Sequence, residues 1–138
     1  MAVVAHELGH AEQDKTGDAM LRLRATLVPA ANIGSKLGVW MILGGFILAG
    51  MNQLFMNLAW LGVVLFGAAV AFTLVTLPVE FDASRRAKRF LGELELVTAS
   101  EARGVSAVLD AAALTYVAAA AGALLQLLYW VSVLNRRR

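Results

Sequence analysis

From Leu37 to Val79 the chain contains no Asp, Glu, Lys, Arg or His, an unbroken run of 43 residues. As a single helix this run would measure roughly 65 Å at ~1.5 Å per residue, about twice the hydrocarbon thickness of a bilayer. It therefore has to fold back. The polar group Asn52, Gln53 and Asn57 marks the expected turn, which predicts a helical hairpin with spans over residues 37–55 and 58–78, the second closed by Pro78. A further charge-free stretch, residues 111–134, is again long enough to cross, with Tyr129 and Trp130 near one end and Arg136, Arg137 and Arg138 beyond it. The pattern predicts an all-α membrane protein with about three transmembrane helices, and residues 1–138 form a single membrane domain in this reading.

The polar segments, residues 1–36 and 80–110, fall on the same side of the membrane if the hairpin crosses out and back. Within the second of them Glu80, Ser84, Ala87 and Leu91 recur at helical spacing, so Glu80 shares a face with small residues that let another helix come close. Thr98 and Glu101 have the spacing of a capping box, which predicts a helix starting there and running through Val105 and Leu109 into the third span. No strand pattern, internal repeat or low-complexity linker stands out.

Composition agrees with the membrane class: 59% of residues are hydrophobic and 16% charged. A net charge of +2, with basic residues that do not interleave with aromatics, excludes a nucleic-acid surface. The absence of cysteine excludes disulfides, thiolate metal sites and cysteine nucleophiles. The first residues lack the basic start and apolar core of a signal peptide.

Chemistry concentrates at the start of the chain. His6-Glu7-Leu8-Gly9-His10 is an H-E-x-x-H pattern, and on a helix its histidines stand one turn apart on one side, where both can reach a single Zn²⁺. Glu7 then lies beside the open coordination position, as the general base for a zinc-activated water that attacks a peptide carbonyl. The bland alternative is a chance match on a solvated helix. Against it, these are the only two histidines in the protein, and both fall inside the pattern.

A catalytic zinc usually has three protein ligands, and with no third histidine and no cysteine the remaining one has to be a carboxylate. Glu12, Asp14 and Asp18 lie too close in sequence to reach the ion easily. Glu80 comes from a separate segment returned to the same membrane face and is the best candidate; an interfacial carboxylate loosely paired with Arg85 and Arg86 is the competing reading.

Four blocks extend the comparison: Val4-Ala5-His6-Glu7-Leu8-Gly9-His10-Ala11; Leu21-Arg22-Leu23-Arg24 with Val28-Pro29; residues 75–87 around Pro78-Val79-Glu80-Phe81-Asp82; and residues 109–118 around Asp110 and Tyr116. Together, in this order, they resemble the YugP-type membrane zinc metallopeptidases. The Glu80-x-x-Ala83-Ser84-x-x-Ala87 portion is also similar to the E-x-x-A-D-x-x-A segment of the HtpX-type proteases, whose glutamate completes the zinc site, and this resemblance implies the same role for Glu80. Family members usually carry an N-terminal span and a polar region before the catalytic helix. Here five residues precede His6, so the expectation is a chain that begins late relative to the family and is a poor catalyst on its own. Glu12 stands where the family more often has an apolar residue before the glutamine, here Gln13.

Among other polar residues, Asp110 could orient a zinc-bound histidine or sit at the interface, and Tyr116 could bind an oxyanion or anchor the third span. Arg85, Arg86, Lys88 and Arg89 read as a solvated face toward anionic headgroups. Gly34 and Gly38 have small-x-x-x-small spacing. The resulting expectation is a membrane zinc metallopeptidase with metal ligands His6, His10 and Glu80, base Glu7 and cofactor Zn²⁺. It would act on peptide or membrane-protein substrates from the cytoplasmic side of a prokaryotic plasma membrane. The rival readings are a non-catalytic membrane fragment or metal-dependent assembly subunit that retains the motif, and a membrane scaffold with a fortuitous motif. Nothing in the sequence specifies an oligomer.

Overall fold

The computed structural model describes residues 1–137; Arg138, counted above in the terminal arginine group, lies outside the described residues. The fold is all-helical. Four helices follow one another: α1 (Ala2–Thr16), α2 (Ala19–Leu48), α3 (Gln53–Glu93) and α4 (Ala99–Asn135). By length and composition α2, α3 and α4 can each cross a membrane.

Local chemistry sets the boundaries. Gly17 ends α1 in the left-handed region at φ 70°, where a residue without a β-carbon is at ease, and its N–H and that of Asp18 bond back to the carbonyls of Asp14 and Gln13. Asp18 then caps α2, its Oδ1 accepting from the N–H groups of Met20 and Leu21 at 2.9 and 3.0 Å. A π-helical turn, Gly34–Gly38, interrupts α2. The turn between α2 and α3 occupies residues 49–52, and Asn52 Oδ1 accepts from Leu54 N–H at 3.0 Å, so Gln53 and Asn57 belong to α3 rather than to the turn. The capping box at α4 is formed as expected. Glu101 Oε2 accepts from Thr98 N–H at 2.8 Å, and Glu101 N–H donates to Thr98 Oγ1 at 3.4 Å.

Pro78 does not end a helix. It sits inside α3, which continues for 15 residues to Glu93. Proline removes one backbone donor and frees one carbonyl a turn earlier, a local defect that the remaining bonds of so long a helix survive.

The chain divides into two compact units. One comprises Met1–Ala25 and Val75–Ala119, the other Thr26–Leu74 and the chain from Ala120 on. In the second unit Gly38, Gly45 and Gly62 let α2 and α3 approach at the level of their backbones: a β-carbon on Gly38 would stand 2.9 Å from the carbonyl oxygen of Gly62, and one on Gly45 would stand 2.6 Å from the amide nitrogen of Ala59. The Gly34 and Gly38 spacing is thus a real packing face. Around it Ile42, Ala59, Val63, Phe66 and Leu134 form a buried cluster. In lipid, burial of apolar surface drives little association, so dispersion across this close contact is what holds the hairpin.

The first unit carries the motif helix. Its apolar cluster is small, Ala5, Ala87, Leu91 and Leu109, and its α3 face is the expected one: Glu80, Ser84, Ala87 and Leu91 are buried, and Ala83 is buried beside them.

Candidate metal centre

On α1, residues 6, 10 and 13 stand at i, i+4 and i+7 and so form one stripe. Between the histidines, Gly9 lies against the backbone of Ala83 on α3. A β-carbon at position 9 would run into the Ala83 carbonyl oxygen and stand 2.9 Å from its carbon. This contact brings the stripe down onto Glu80, whose side chain is only 3% exposed.

The two histidines converge on a single carboxylate oxygen. Glu80 Oε2 is 3.0 Å from His6 Nε2 and 3.5 Å from His10 Nε2, and one donor atom from each of His6, His10 and Glu80 can be chosen so that all lie within 4.8 Å of one another. The rings meet edge to face, with centroids 4.7 Å apart. The second oxygen of Glu80 is taken: Arg24, returned by the short turn after Gly17, places Nη1 3.0 Å from Oε1. One guanidinium therefore neutralises the buried acid and fixes which oxygen faces the imidazoles.

Each histidine is also held from behind. His6 Nδ1 is 3.2 Å from Ser84 Oγ, and His10 Nδ1 is 2.9 Å from Gln13 Oε1. Gln13 is fully buried. Its Nε2 donates to the Val79 carbonyl and to Asp82 Oδ2, both at 2.9 Å. Asp82 Oδ2 in turn accepts from Arg86 Nε at 2.6 Å, and Arg86 and Arg89 both reach Glu12, at 3.2 and 2.6 Å. Two of the four basic residues read as a lipid-facing surface, Arg86 and Arg89, are thus engaged in ion pairs between α1 and α3.

Glu7 points to the exposed side of α1, and with His6 and Ser84 it borders a cavity of about 220 Å³ whose remaining wall includes Ala2, Val108, Leu109, Ala112 and Tyr116. Tyr116 thus lies beside His6, Glu7 and Ser84 in the wall of this cavity. Asp110 does not reach a histidine: it is exposed and paired with Lys88 Nζ at 2.6 Å. The acid behind a histidine is instead Asp82, acting through Gln13. The stripe at positions 6, 10 and 13 was the available signal for Gln13. Nothing in the sequence signalled Gly9 against Ala83 or Arg24 on Glu80.

Two histidines on a short helix, set against a buried glutamate of a membrane-length helix, define the class: helical membrane proteins with a His/His/Glu group that could hold a metal ion. The chain belongs to the family described as "Putative neutral zinc metallopeptidase", whose pattern matches residues 1–135. It is also similar to the "Putative membrane protease YugP" of Bacillus subtilis (strain 168), with 44% identity over 138 residues that cover 99% of this chain and 59% of that protein. The chain thus spans somewhat over half the length of this curated relative. No solved structure matches it.

Proposed function

We propose that this chain carries the site of a membrane-embedded zinc metallopeptidase in which His6, His10 and Glu80 hold the metal and Glu7 is the general base. The observation behind this reading is the approach of two imidazole Nε2 atoms to one oxygen of a buried carboxylate, at 3.0 and 3.5 Å. Two nitrogens and one oxygen suit zinc better than calcium or magnesium, which prefer all-oxygen surroundings, and three protein ligands leave a position open. Both Nδ1 atoms are engaged by second residues, as metal-binding imidazoles usually are.

Bound there, zinc would supply Lewis acidity, lowering the pKa of a coordinated water towards ~7 and polarising the scissile carbonyl. The protein supplies the rest. Glu7 takes a proton from the attacking water onto its carboxylate and returns it to the amide nitrogen as the C–N bond breaks, which yields a carboxylic acid and an amine. Arg24 keeps Glu80 Oε1 occupied, so Oε2 alone faces the metal position. The apolar cavity beside Glu7 is suited to an apolar side chain of an extended peptide.

The substrates are peptides or membrane proteins cut close to the bilayer. The plasma membrane of a prokaryote is the setting, with the site on the cytoplasmic side: nine of the twelve basic residues lie in segments 1–36 and 80–110, against three beyond the third span.

The test separates base from ligand. Glu7→Gln, purified in micelles, keeps its zinc while hydrolysis falls by ~10²-fold or more. Undiminished zinc-dependent hydrolysis by this variant would overturn the role of Glu7.

A further inference from the structure

Gln13 is wholly buried, and each of its side-chain atoms that can hydrogen-bond has a partner. Its amide end faces two groups that only accept, the Val79 carbonyl and the Asp82 carboxylate, both at 2.9 Å. An amide nitrogen has two hydrogens and can satisfy both, whereas the amide oxygen in that place would meet two oxygens. The orientation of the amide is therefore decided by its surroundings, and Oε1 is the atom turned to His10 Nδ1, 2.9 Å away.

An amide oxygen only accepts, so His10 Nδ1 has to carry a hydrogen. In the neutral ring the lone pair is then on Nε2, the nitrogen that faces Glu80 Oε2. A free histidine side chain prefers the opposite form, with hydrogen on Nε2, in which His10 would present a donor to the metal position. His6 is held less strictly. Its Nδ1 partner is the Ser84 hydroxyl at 3.2 Å, and a hydroxyl can rotate to donate or to accept.

We propose that Gln13 is a positioning residue that locks His10 in the Nδ1–H tautomer, its own orientation being fixed by Asp82 and the Val79 carbonyl, so that the Nε2 lone pair faces the metal position before any metal arrives. This rests on the reading of His10 as a ligand, but the lock itself is a property of the metal-free chain and is measured there. The acceptor is uncharged, and the carboxylate stands one residue further back. Asp82 is held by Arg86 Nε at 2.6 Å, so its charge is already answered.

The experiment is a long-range ¹⁵N–¹H correlation spectrum of the histidine rings, recorded at neutral pH on the chain in micelles, metal-free. The two histidines are assigned through His6→Ala. The expected result is a single Nδ1–H form for His10. In Gln13→Met, which matches the volume but offers a ring N–H only a weakly accepting sulfur, the His10 pattern shifts to the Nε2–H form and zinc affinity, read by chelator competition, falls 10–100-fold. Gln13→Glu partly restores both, because one carboxyl oxygen can still accept from Nδ1–H while a protonated partner oxygen donates to Asp82. An Nε2–H form for His10 in the unaltered chain would overturn the proposal, and that measurement stands even where a variant fails to fold. So would a Gln13→Met chain with unchanged tautomer and a zinc affinity within twofold of the parent. An Nδ1–H form in a chain that binds no zinc would instead leave the lock standing and remove the metal-site reading.

Discussion

Gly9 of the motif helix touches Ala83 of α3 backbone to backbone, with no room for a β-carbon between them. This contact brings Glu80 to within 3.0 Å of His6, 74 residues away in sequence, and within 3.5 Å of His10. The first prediction follows from it. Gly9→Ala must push α1 away from α3 or strain both, at a cost of ~1–3 kcal/mol or more, and because the shift falls between His6 and His10 it also weakens metal binding. Gly104, inside α4 with open space around it, is the control. Gly104→Ala removes backbone entropy without a collision and stabilises the helix by ~0.5–1 kcal/mol. Thermal unfolding in micelles, read by circular dichroism, checks both signs.

The cavity beside Glu7 gives a second prediction. Ala112 lines it yet is itself exposed, so a larger side chain there fills the cavity without disturbing the packed face. In Ala112→Leu, kcat/KM for peptides with a large apolar residue next to the cut bond falls ~10-fold or more, while peptides with a small residue there are cut as before. A uniform loss over both series would show that the cavity does not receive the side chain.

The ion pairs above the site are expected to contribute little. Glu12 reaches Arg86 and Arg89, but the Arg89 side chain is 48% exposed and its charge is screened. Glu12→Gln should cost under ~1 kcal/mol of stability and leave zinc content unchanged. A larger loss in a melting experiment would mean that these pairs hold α1 on α3.

Membrane orientation is open to direct measurement, because the protein has no cysteine of its own. A single cysteine at Asn52, in the turn between α2 and α3, should react with an impermeant maleimide added outside intact cells. Reaction only after the cytoplasmic side is exposed would reverse the proposed topology.

Much of this was legible in the residue pattern, for reasons specific to each element. The lengths of the charge-free runs identify the membrane helices, since few other environments accept 43 such residues in succession. The motif spacing identifies the histidine pair, and small residues at positions 83, 84 and 87 identify the face that bears Glu80. What failed depended on partners. Pro78 reads locally as a helix end, yet α3 runs through it because a long helix tolerates one missing donor. For Asp110 the pattern leaves an orienting acid and an interfacial one both open, and its position on α4 gives it to Lys88. Gln13 and Arg24 have roles only once α1 and the start of α2 are docked on α3, and no local spacing encodes that docking.

The central claim is that Glu80 joins His6 and His10 as a metal ligand, and zinc content tests it most directly. The chain and its Glu80→Gln variant are purified side by side, dialysed against the same weak chelator and measured for zinc per protein. The parent should hold roughly one zinc per chain and the variant a small fraction of that, because two histidines alone make too poor a site. Equal zinc in both, with the variant folded, would contradict the account and place the third ligand elsewhere.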